Sequence, residues 1–455
     1  MLTYELEKTP GVPLYEALYR CIREDILSGR LMPGEKLPSK RALCAHLEVS
    51  KITVEGAYNQ LLAEGYLRSV EKVGYYVEAL ERPAQKEVLP APAPKPEEEE
   101  LLDLTGGGSA GFPFSVWSSL QRQVMLDMGS RLLLPLPNQG AWELRLAIAE
   151  HLAQFRGMQV SPENILVGAG TDFLYNLLIQ LLGRGMRYAV EEPGYGKIRL
   201  LYAAAGAECV SAQMDSLGVC PESLGQAQVL HISPSHHFPT GIITPLSRRQ
   251  ALLRWAYEAP NRWIIEDDYD SEFRFNAHPM PTVQSLDSRG RVIYMNTFSK
   301  TLTPSIRISY MVLPRELMER FQAGLGFYSG TVPSFEQYTL ARFLRDGHFE
   351  KHLNRMRKYY RALRNRVLDV IENSPYAEQL TITEENAGLH FLVKVETDET
   401  ETELLSRCRA MGLRLRTLSG YYHGAAPLGA ERTLVINYSG LDEKQLEQLG
   451  AILRK

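Results

Sequence analysis

Cysteine is scarce in this 455-residue chain, and what there is cannot form a framework. The five cysteines, Cys21, Cys44, Cys209, Cys220 and Cys408, are odd in number and scattered, with no CxxC pair at metal-ligand spacing. That excludes a disulfide scaffold and a zinc module, and it fits a reducing compartment, the cytoplasm. Long hydrophobic runs are also missing: nothing approaches the ~20 consecutive apolar residues that a membrane span requires. The N-terminus MLTYELEKTPGVPLYEAL has no basic stretch followed by an apolar one, so a secretory leader is not expected. An excess of one charge is lacking too, with 50 Lys+Arg against 54 Asp+Glu, which argues against a chain that coats nucleic acid over its whole surface. A local DNA reader is still compatible with that average.

What is present divides into two textures. Between Glu78 and Leu102 five prolines, at 83, 90, 92, 94 and 96, alternate with Ala or charge and run into Glu97 to Glu100. Proline removes backbone donors and like charges repel, so residues 78–102 are expected to be an extended, solvated linker. Residues 1–77 form one module and residues 103–455 the other.

In the first module LYEALYRCIREDILSG places Leu14, Leu18, Cys21, Ile22, Ile26 and Leu27 at helical spacing. Ser39 and Ser50 are each placed to cap a helix, and the second of these presents Val54, Ala57, Tyr58, Leu61 and Leu62 on one side. Strand-forming residues on either side of Glu71 to Gly74 predict a β-hairpin wing. A helix-turn-helix of this kind puts the N-terminal end of its second helix, here Lys51 and Thr53, toward base edges and phosphates. The run LPSKRALCAHLEVSKITVEGAYNQLLAEGYL resembles, almost position for position, the winged-helix domain of the GntR family of bacterial transcription regulators. The resemblance implies that Arg41, Ser50, Lys51 and Thr53 contact double-stranded operator DNA, with Lys72 and Gly74 at the wing tip. Through Val77 the module carries ten basic and ten acidic residues, 10 − 10 = 0. Non-specific affinity scales with neutralised phosphates, so useful binding is expected to need two modules on one DNA, as a dimer supplies.

In the second module apolar, β-rich runs alternate with helical stretches: NILVGAG then TDFLYNLLIQLLG, MRYAVEEPGYG then KIRLLYAAAG, then QVLHISPS, RWIIEDDYD and VIYMNTFSK. This predicts an α/β domain around a largely parallel sheet, with ligands at the carboxyl ends of its strands. The unusual residues fall there. Lys300 follows the apolar strand VIYMN, where partial desolvation favours the neutral amine that forms Schiff bases. Thr297, Ser299 and Arg307 offer donors to a phosphate. Asp267 and Tyr269 end another apolar strand, as a carboxylate for a pyridinium nitrogen and a hydroxyl for a ring oxygen. Gly170, Thr171 and Asp172 lie where a strand turns into a helix, whose first amides attract anions. Tyr195 is an aromatic plate. His236 and His237 are expected to point apart on a strand, which makes a metal site a poor reading.

Together these pieces resemble the fold-type I aminotransferases from about Asp103 onward. The blocks EDDYDSEF, FPTG, TFSKTLTPSIR, AGLHFLVKV and LRLRTLSGYY resemble more closely the MocR/GabR family, in which a GntR winged helix is fused by a linker to an aminotransferase-like domain. That resemblance implies pyridoxal 5'-phosphate (PLP) held as a Schiff base by Lys300. Asp267 would face the pyridine nitrogen, Tyr269 the ring oxygen and Tyr195 the ring plane. Arg307, Thr297, Ser299 and the amides of Gly170, Thr171 and Asp172 would hold the phosphate. It further implies a large subdomain at about 140–315, a small one at about 316–455 with the N-terminal segment, a homodimer, and regulation by an amino compound or by PLP itself. The alternative is an active aminotransferase with a DNA-binding appendage. Against it, the strand that in such enzymes carries the carboxylate-binding arginine as R-I-S-F-A reads VINYS, from Val435 to Ser439. Arg432, Arg414, Arg416, Lys197 and His236 remain the candidates for contacting an effector, and at most residual transamination is expected.

Overall fold

The computed structural model describes residues 2–4, 6, 13–79, 101–106, 108, 111–273, 280–385 and 388–454. The chain forms two compact units, Met1–Glu98 and Glu99–Lys455. The proline- and glutamate-rich segment read as a linker lies, from residue 80 to residue 100, outside the described residues.

In the first unit α1 (Leu14–Ser28) stops at Gly29, whose φ of 80° is a left-handed cap. Ser39 caps α2 (Lys40–Leu47) by accepting the Ala42 amide at 3.2 Å, and Ser50 caps α3 (Lys51–Ala63) by accepting that of Thr53 at 3.1 Å. An antiparallel hairpin follows, β1 (Leu67–Val70) and β2 (Gly74–Val77). Leu18 and Ile22 of α1, Leu43 of α2 and Val54, Ala57, Tyr58 and Leu61 of α3 are fully buried against one another. The Tyr58 hydroxyl, carried into this core, donates to Pro38 O at 2.9 Å. Leu27 corrects the sequence reading: one residue beyond buried Ile26 it lies about 100° further round the helix, and it is exposed.

The second unit opens with β3 (Leu102–Asp103), α4 (Phe114–Met128) and α5 (Trp142–Arg156). Strands and helices then alternate: β4 (Ile165–Gly168), α6 (Thr171–Leu182), β5 (Arg187–Glu192), α7 (Gly196–Ala204), β6 (Glu208–Asp215), β7 (Gly218–Val219), β8 (Val229–Ile232) and α8 (Leu246–Tyr257). They continue with β9 (Trp263–Asp267), α9 (Val283–Leu286), β10 (Val292–Thr297), α10 (Phe298–Thr301) and β11 (Ser309–Val312). These strands make one sheet in the order β4-β11-β10-β9-β8-β5-β6-β7. From β10 through β6 neighbours are parallel, while β4, β11 and β7 pair antiparallel. Strands buried on both faces need unbroken apolar runs, and β8 and β9 are buried along their whole length.

Helices α11 (Arg315–Leu325), α12 (Ser334–Arg345) and α13 (His348–Glu372) lead to a smaller layer. It contains β12 (Leu380–Thr383), β13 (His390–Val395), α14 (Glu401–Ala410), β14 (Leu413–Arg414), β15 (Arg416–Thr417), β16 (Thr433–Asn437) and α15 (Glu443–Leu453). Its sheet runs β12-β13-β16-β15, and β14 pairs in parallel with β3 from the start of the unit.

Two of the contacts that tie this layer to the main sheet lie beside the site described below. The Glu192 carboxylate accepts the backbone amides of His423 at 2.9 Å and Gly424 at 2.7 Å, while the Gly194 amide donates to Tyr421 O at 3.1 Å. Gly388 lies against the His236 ring, its amide donating to Phe273 O at 3.1 Å and its carbonyl accepting the Tyr438 hydroxyl at 2.6 Å. Its φ is +70°, and a Cβ there would fall 1.8 Å from His236 Cε1. Gly388→Ala is therefore expected to destabilise this unit by about 2–3 kcal/mol, strain and overpacking acting together, read as a lowered thermal midpoint. The winged-helix unit should keep its own stability in the same melt.

Candidate functional site

The acidic run at the end of β9 sets the site's chemistry, because each carboxylate there is buried and meets a different partner. Glu266 accepts the amides of Val283 at 2.9 Å and Gln284 at 2.8 Å, and burial pushes its pKa up to about 7. Asp268 pairs with buried Arg156 at 2.7 Å and accepts the hydroxyls of Tyr294 at 2.7 Å and Ser271 at 2.8 Å. Burial acts to raise Asp268, and Arg156 with these hydroxyls overcomes it and holds the carboxyl below its usual range. Asp270 meets His236 Nδ1 at 2.8 Å.

Asp267 has no such cation bonded to it among the described residues. It is 5% exposed, its Oδ2 accepts a short hydrogen bond from the Tyr175 hydroxyl, and His231 Nε2 lies 3.6 Å from that same oxygen. Its Oδ1 is buried with no partner among the described residues, as is Oδ1 of Asp268. Tyr175 stands one helical turn after Thr171 on α6, and its phenol is driven far above the ordinary range by burial and by Asp267. His231 sits on β8 beside β9 and is fixed from behind by the Tyr202 hydroxyl, 2.7 Å from Nδ1. Neither residue was singled out from sequence. A histidine inside the apolar strand QVLHIS and a tyrosine four residues past a helix start were the available signals.

On the next strand, β10, Met295 is opposite Asp267, so Lys300 leaves the sheet beside it, five residues on. Lys300 is exposed on the one-turn helix α10, which corrects the partial desolvation expected of it: the strand is buried up to Phe298, and the turn that Thr297 caps carries the lysine out of the sheet. Thr297 is 7% exposed, and its hydroxyl caps that turn by accepting the Ser299 amide at 3.1 Å while taking the Ser309 hydroxyl at 2.8 Å. It therefore holds Ser299 and Lys300 in place, and Ser299 is the partly exposed hydroxyl of the two. Arg307 adopts a left-handed φ of 49° and lays its guanidinium over the start of α6, Nη2 reaching Ala169 O at 3.3 Å and Asp172 Oδ2 at 3.4 Å. Gly170 makes room for it, since a Cβ there would fall 2.4 Å from that nitrogen. The Gly170 amide itself donates to Gly168 O at 2.8 Å, so the helix-start amides left to face an anion are those of Thr171 and Asp172.

Tyr195 is half exposed at the start of α7, edge-on to Phe238 at 6.0 Å between ring centroids. Tyr269 is 3.5 Å from His236 Nδ1, and burial raises its phenol well above the usual range. His236 and His237 lie on a turn after β8 and not on a strand, though they do point apart: His236 toward Asp270, His237 toward the Thr240 hydroxyl at 2.7 Å. Among the described residues no group of three or more His, Cys, Asp or Glu is placed to hold a metal.

Of the effector candidates, Lys197 bonds Asp172 at 2.8 Å and so joins the Arg307 cluster. Arg414 turns to Asp103 at 3.5 Å beside the β3–β14 pairing, and Arg416 is exposed on β15 opposite Val435. Arg432 precedes β16 with a buried, unpartnered Nε. Val435 itself is 2% exposed, a core side chain.

In the winged-helix unit Lys51 and Ile52 are exposed at the start of α3, and the Thr53 hydroxyl lies 2.8 Å from Ser50 Oγ. Arg41 is exposed on α2. At the wing tip Lys72 has φ 61° and Gly74 φ 140°. Lys36 and Arg68 lie over the Tyr76 ring at 6.0 and 5.4 Å, adding two cations at the hairpin that sequence reading passed over.

Residues 14–77 match the family "Bacterial regulatory proteins, gntR family", and residues 100–453 match "Aminotransferase class I and II". The HTH-type transcriptional regulator YdeL of Bacillus subtilis is 37% identical over 98% of this chain and 97% of its own length. The probable rhizopine catabolism regulatory protein MocR of Rhizobium meliloti is 33% identical over 97% and 93%. The chain belongs to the MocR/GabR family of transcription regulators. Relatives that align across both units favour a regulator over an aminotransferase with an appendage. The larger unit has the fold-type I architecture of its structural neighbours: a multiple substrate aminotransferase from Thermococcus profundus superposes with a TM-score of 0.68 at 22% identity, over 79% of this chain and 91% of that one. No helix among the described residues is long and apolar enough to cross a membrane.

The residues of this MocR/GabR site suit PLP on three observations. A buried carboxylate oxygen awaits a donor, a guanidinium lies over a helix start cleared by a glycine, and an exposed lysine leaves the neighbouring strand. Beside it, Glu191 accepts the Ser233 amide at 2.9 Å and lies 3.5 Å from His237 Nε2, with both side chains nearly fully buried. Burial raises Glu191 to about 8 and lowers His237 to about 3, so the two meet as neutral groups. A carboxyl that keeps its proton in the fold but loses it near 4.5 when unfolded stabilises the fold less and less as pH climbs between those values. Glu191→Gln is expected to flatten that decline: measured from about pH 5 to about pH 9, the thermal midpoint of the variant should fall less than that of the wild type.

Proposed function

We propose that this chain is a PLP-responsive regulator that binds DNA as a homodimer in the cytoplasm, with residues 1–77 as the DNA reader, 78–102 as the linker and 103–455 as the sensor. The observation that carries the sensor reading is the free, buried Oδ1 of Asp267 on the strand next to Lys300. When bound, PLP supplies a carbonyl electrophile for Schiff-base chemistry with an amine. Lys300 is the amine in the chain that would hold it. Asp267 would take the pyridine N–H on Oδ1, while Tyr175 and His231 keep the carboxylate turned that way. Arg307, Ser299 and the amides of Thr171 and Asp172 would hold the phosphate, with Tyr195 against the ring and Tyr269 at its oxygen. Thr297 supports them as a positioning residue.

The signal is either an amino compound that displaces Lys300 or the loading of the site with PLP. Both work only if the ligand binds two conformations of the dimer with different affinity. Arg41, Ser50, Lys51 and Thr53, with Lys72 and Gly74 on the wing, form the DNA face. The neutral charge of a single module makes pairing on repeated half-sites necessary for useful affinity.

The absorbance spectrum of full-length protein with PLP, wild type beside Lys300→Ala, before and after borohydride, tests the first half. A band that depends on Lys300, is trapped by reduction and shifts with one member of an amine panel is expected; no band in wild type overturns PLP binding. Fluorescence titration of operator DNA tests the second half, and identical affinity with and without PLP and amine rejects switching. In the same assay Lys51→Ala should weaken binding to all DNA sequences alike and lower the salt-dependence slope by about 1.

A further inference from the structure

The phosphate-facing end of the site contains a negative charge of its own. Asp172, in the first turn of α6, places Oδ2 2.8 Å from Lys197 Nζ and 3.4 Å from Arg307 Nη2. The three side chains are 32%, 46% and 51% exposed respectively, so neither contact is a buried, permanent pair. Exposed ion pairs contribute little and exchange readily. Arg307 is thus shared between the Ala169 carbonyl and a carboxylate, in the position where Gly170 clears space for its guanidinium. Any phosphate group drawn to Arg307 and the helix start meets Asp172 as a like charge and must displace it from the guanidinium. Lys197, two residues beyond Tyr195 at the start of α7, already holds that oxygen more closely than Arg307 does and is placed to keep it when Arg307 turns to the phosphate.

We infer that Asp172 is an internal competitor for Arg307, and that Lys197 is the second cation that draws it away, so that the pair weakens and tunes retention of a phosphate-bearing ligand at the Lys300 site. This rests on the PLP reading above and deepens it. A competitor built into the clamp keeps occupancy reversible, which suits a site whose filling is a signal. The ligand class affected is defined by its phosphate: PLP is subject to the competition, and pyridoxal, which lacks the phosphate, is not. Lys197 and Asp172 act here as specificity-determining residues and take no part in Schiff-base chemistry.

The experiment is a fluorescence titration of full-length protein with PLP and with pyridoxal, in wild type, Asp172→Asn, Lys197→Gln and the double variant. Asp172→Asn keeps the backbone amide and removes the charge, so PLP should bind at least about fivefold more tightly while pyridoxal changes by less than about twofold. Lys197→Gln should loosen PLP several-fold, and most of that loss should vanish in the Asp172→Asn background, the coupling expected if Lys197 acts through Asp172. The gain from Asp172→Asn should shrink as salt is raised to about 1 M. Unchanged or weaker PLP binding in Asp172→Asn, with pyridoxal binding and far-ultraviolet circular dichroism as in wild type, overturns the inference. A Lys197→Gln loss that persists in full in the double variant overturns the role given to Lys197. If borohydride traps PLP at Lys300 in wild type and Asp172→Asn still shows no gain, only this inference falls. If nothing is trapped and neither ligand binds wild type, the underlying reading falls with it.

Discussion

A carboxylate carried into a protein interior must be paired, hydrogen-bonded or neutralised, and the acidic run that ends β9 makes that requirement the organising constraint of the larger unit. Glu266 is met by two backbone amides, Asp268 by Arg156 and hydroxyls, Asp270 by His236. Each partner comes from a different part of the chain, so the run cannot be buried until α5, α9, β10 and the turn after β8 are all in place. Asp267 has one oxygen satisfied by Tyr175 and the other by nothing among the described residues. Asp268 also keeps one buried oxygen without a partner, but its carboxylate is paired with Arg156, whereas Asp267 has no cation bonded to it among the described residues and ends the strand next to the one from which Lys300 emerges.

The parts of the site that are readable in the sequence are those whose meaning is local. An apolar strand that breaks into TFSK or EDDYD announces a strand end carrying polar groups, and in an α/β sheet strand ends are where ligands gather, so Lys300 and Asp267 could be placed from their immediate neighbours. Ser39 and Ser50 were legible for the same reason, because a cap is a relation over three residues. In the larger unit β4, α6, β5, α7, β8, β9 and β10 lie in the runs that periodicity marks, as do α1 to α3 and the hairpin of the smaller one.

What was not readable is relational. Tyr175 and Asp267 are 92 residues apart and meet only because α6 packs over the sheet where β9 ends. Asp172 looked like part of an anion-binding turn on the strength of its amide; only the fold shows that its side chain faces Arg307, 135 residues away. Thr297 looked like a phosphate donor, yet its hydroxyl is occupied with a cap and with Ser309, 12 residues on. The histidine pair was assigned to a strand because SPSHHF follows one, whereas the Pro-containing sequence turns before His236 and directs each ring to a different buried acid. Composition offered no hint of these pairings, since identical residues elsewhere in the chain remain solvated.

The loop that passes from Tyr421 to Gly424 is anchored through its main chain, the amides of His423 and Gly424 donating to the Glu192 carboxylate and the Tyr421 carbonyl accepting the Gly194 amide. Its attachment is therefore indifferent to which side chains the loop carries. Substitution at His423 leaves these bonds intact, whereas substitution at Glu192 removes both of those made to its carboxylate at once. In evolutionary terms both amide anchors depend on a single side chain of the main sheet, and the loop, with Tyr421 packed against Phe238 at 5.2 Å, can diversify at His423 without loosening them. A lineage of such proteins can change that exposed side chain while inheriting the same anchor.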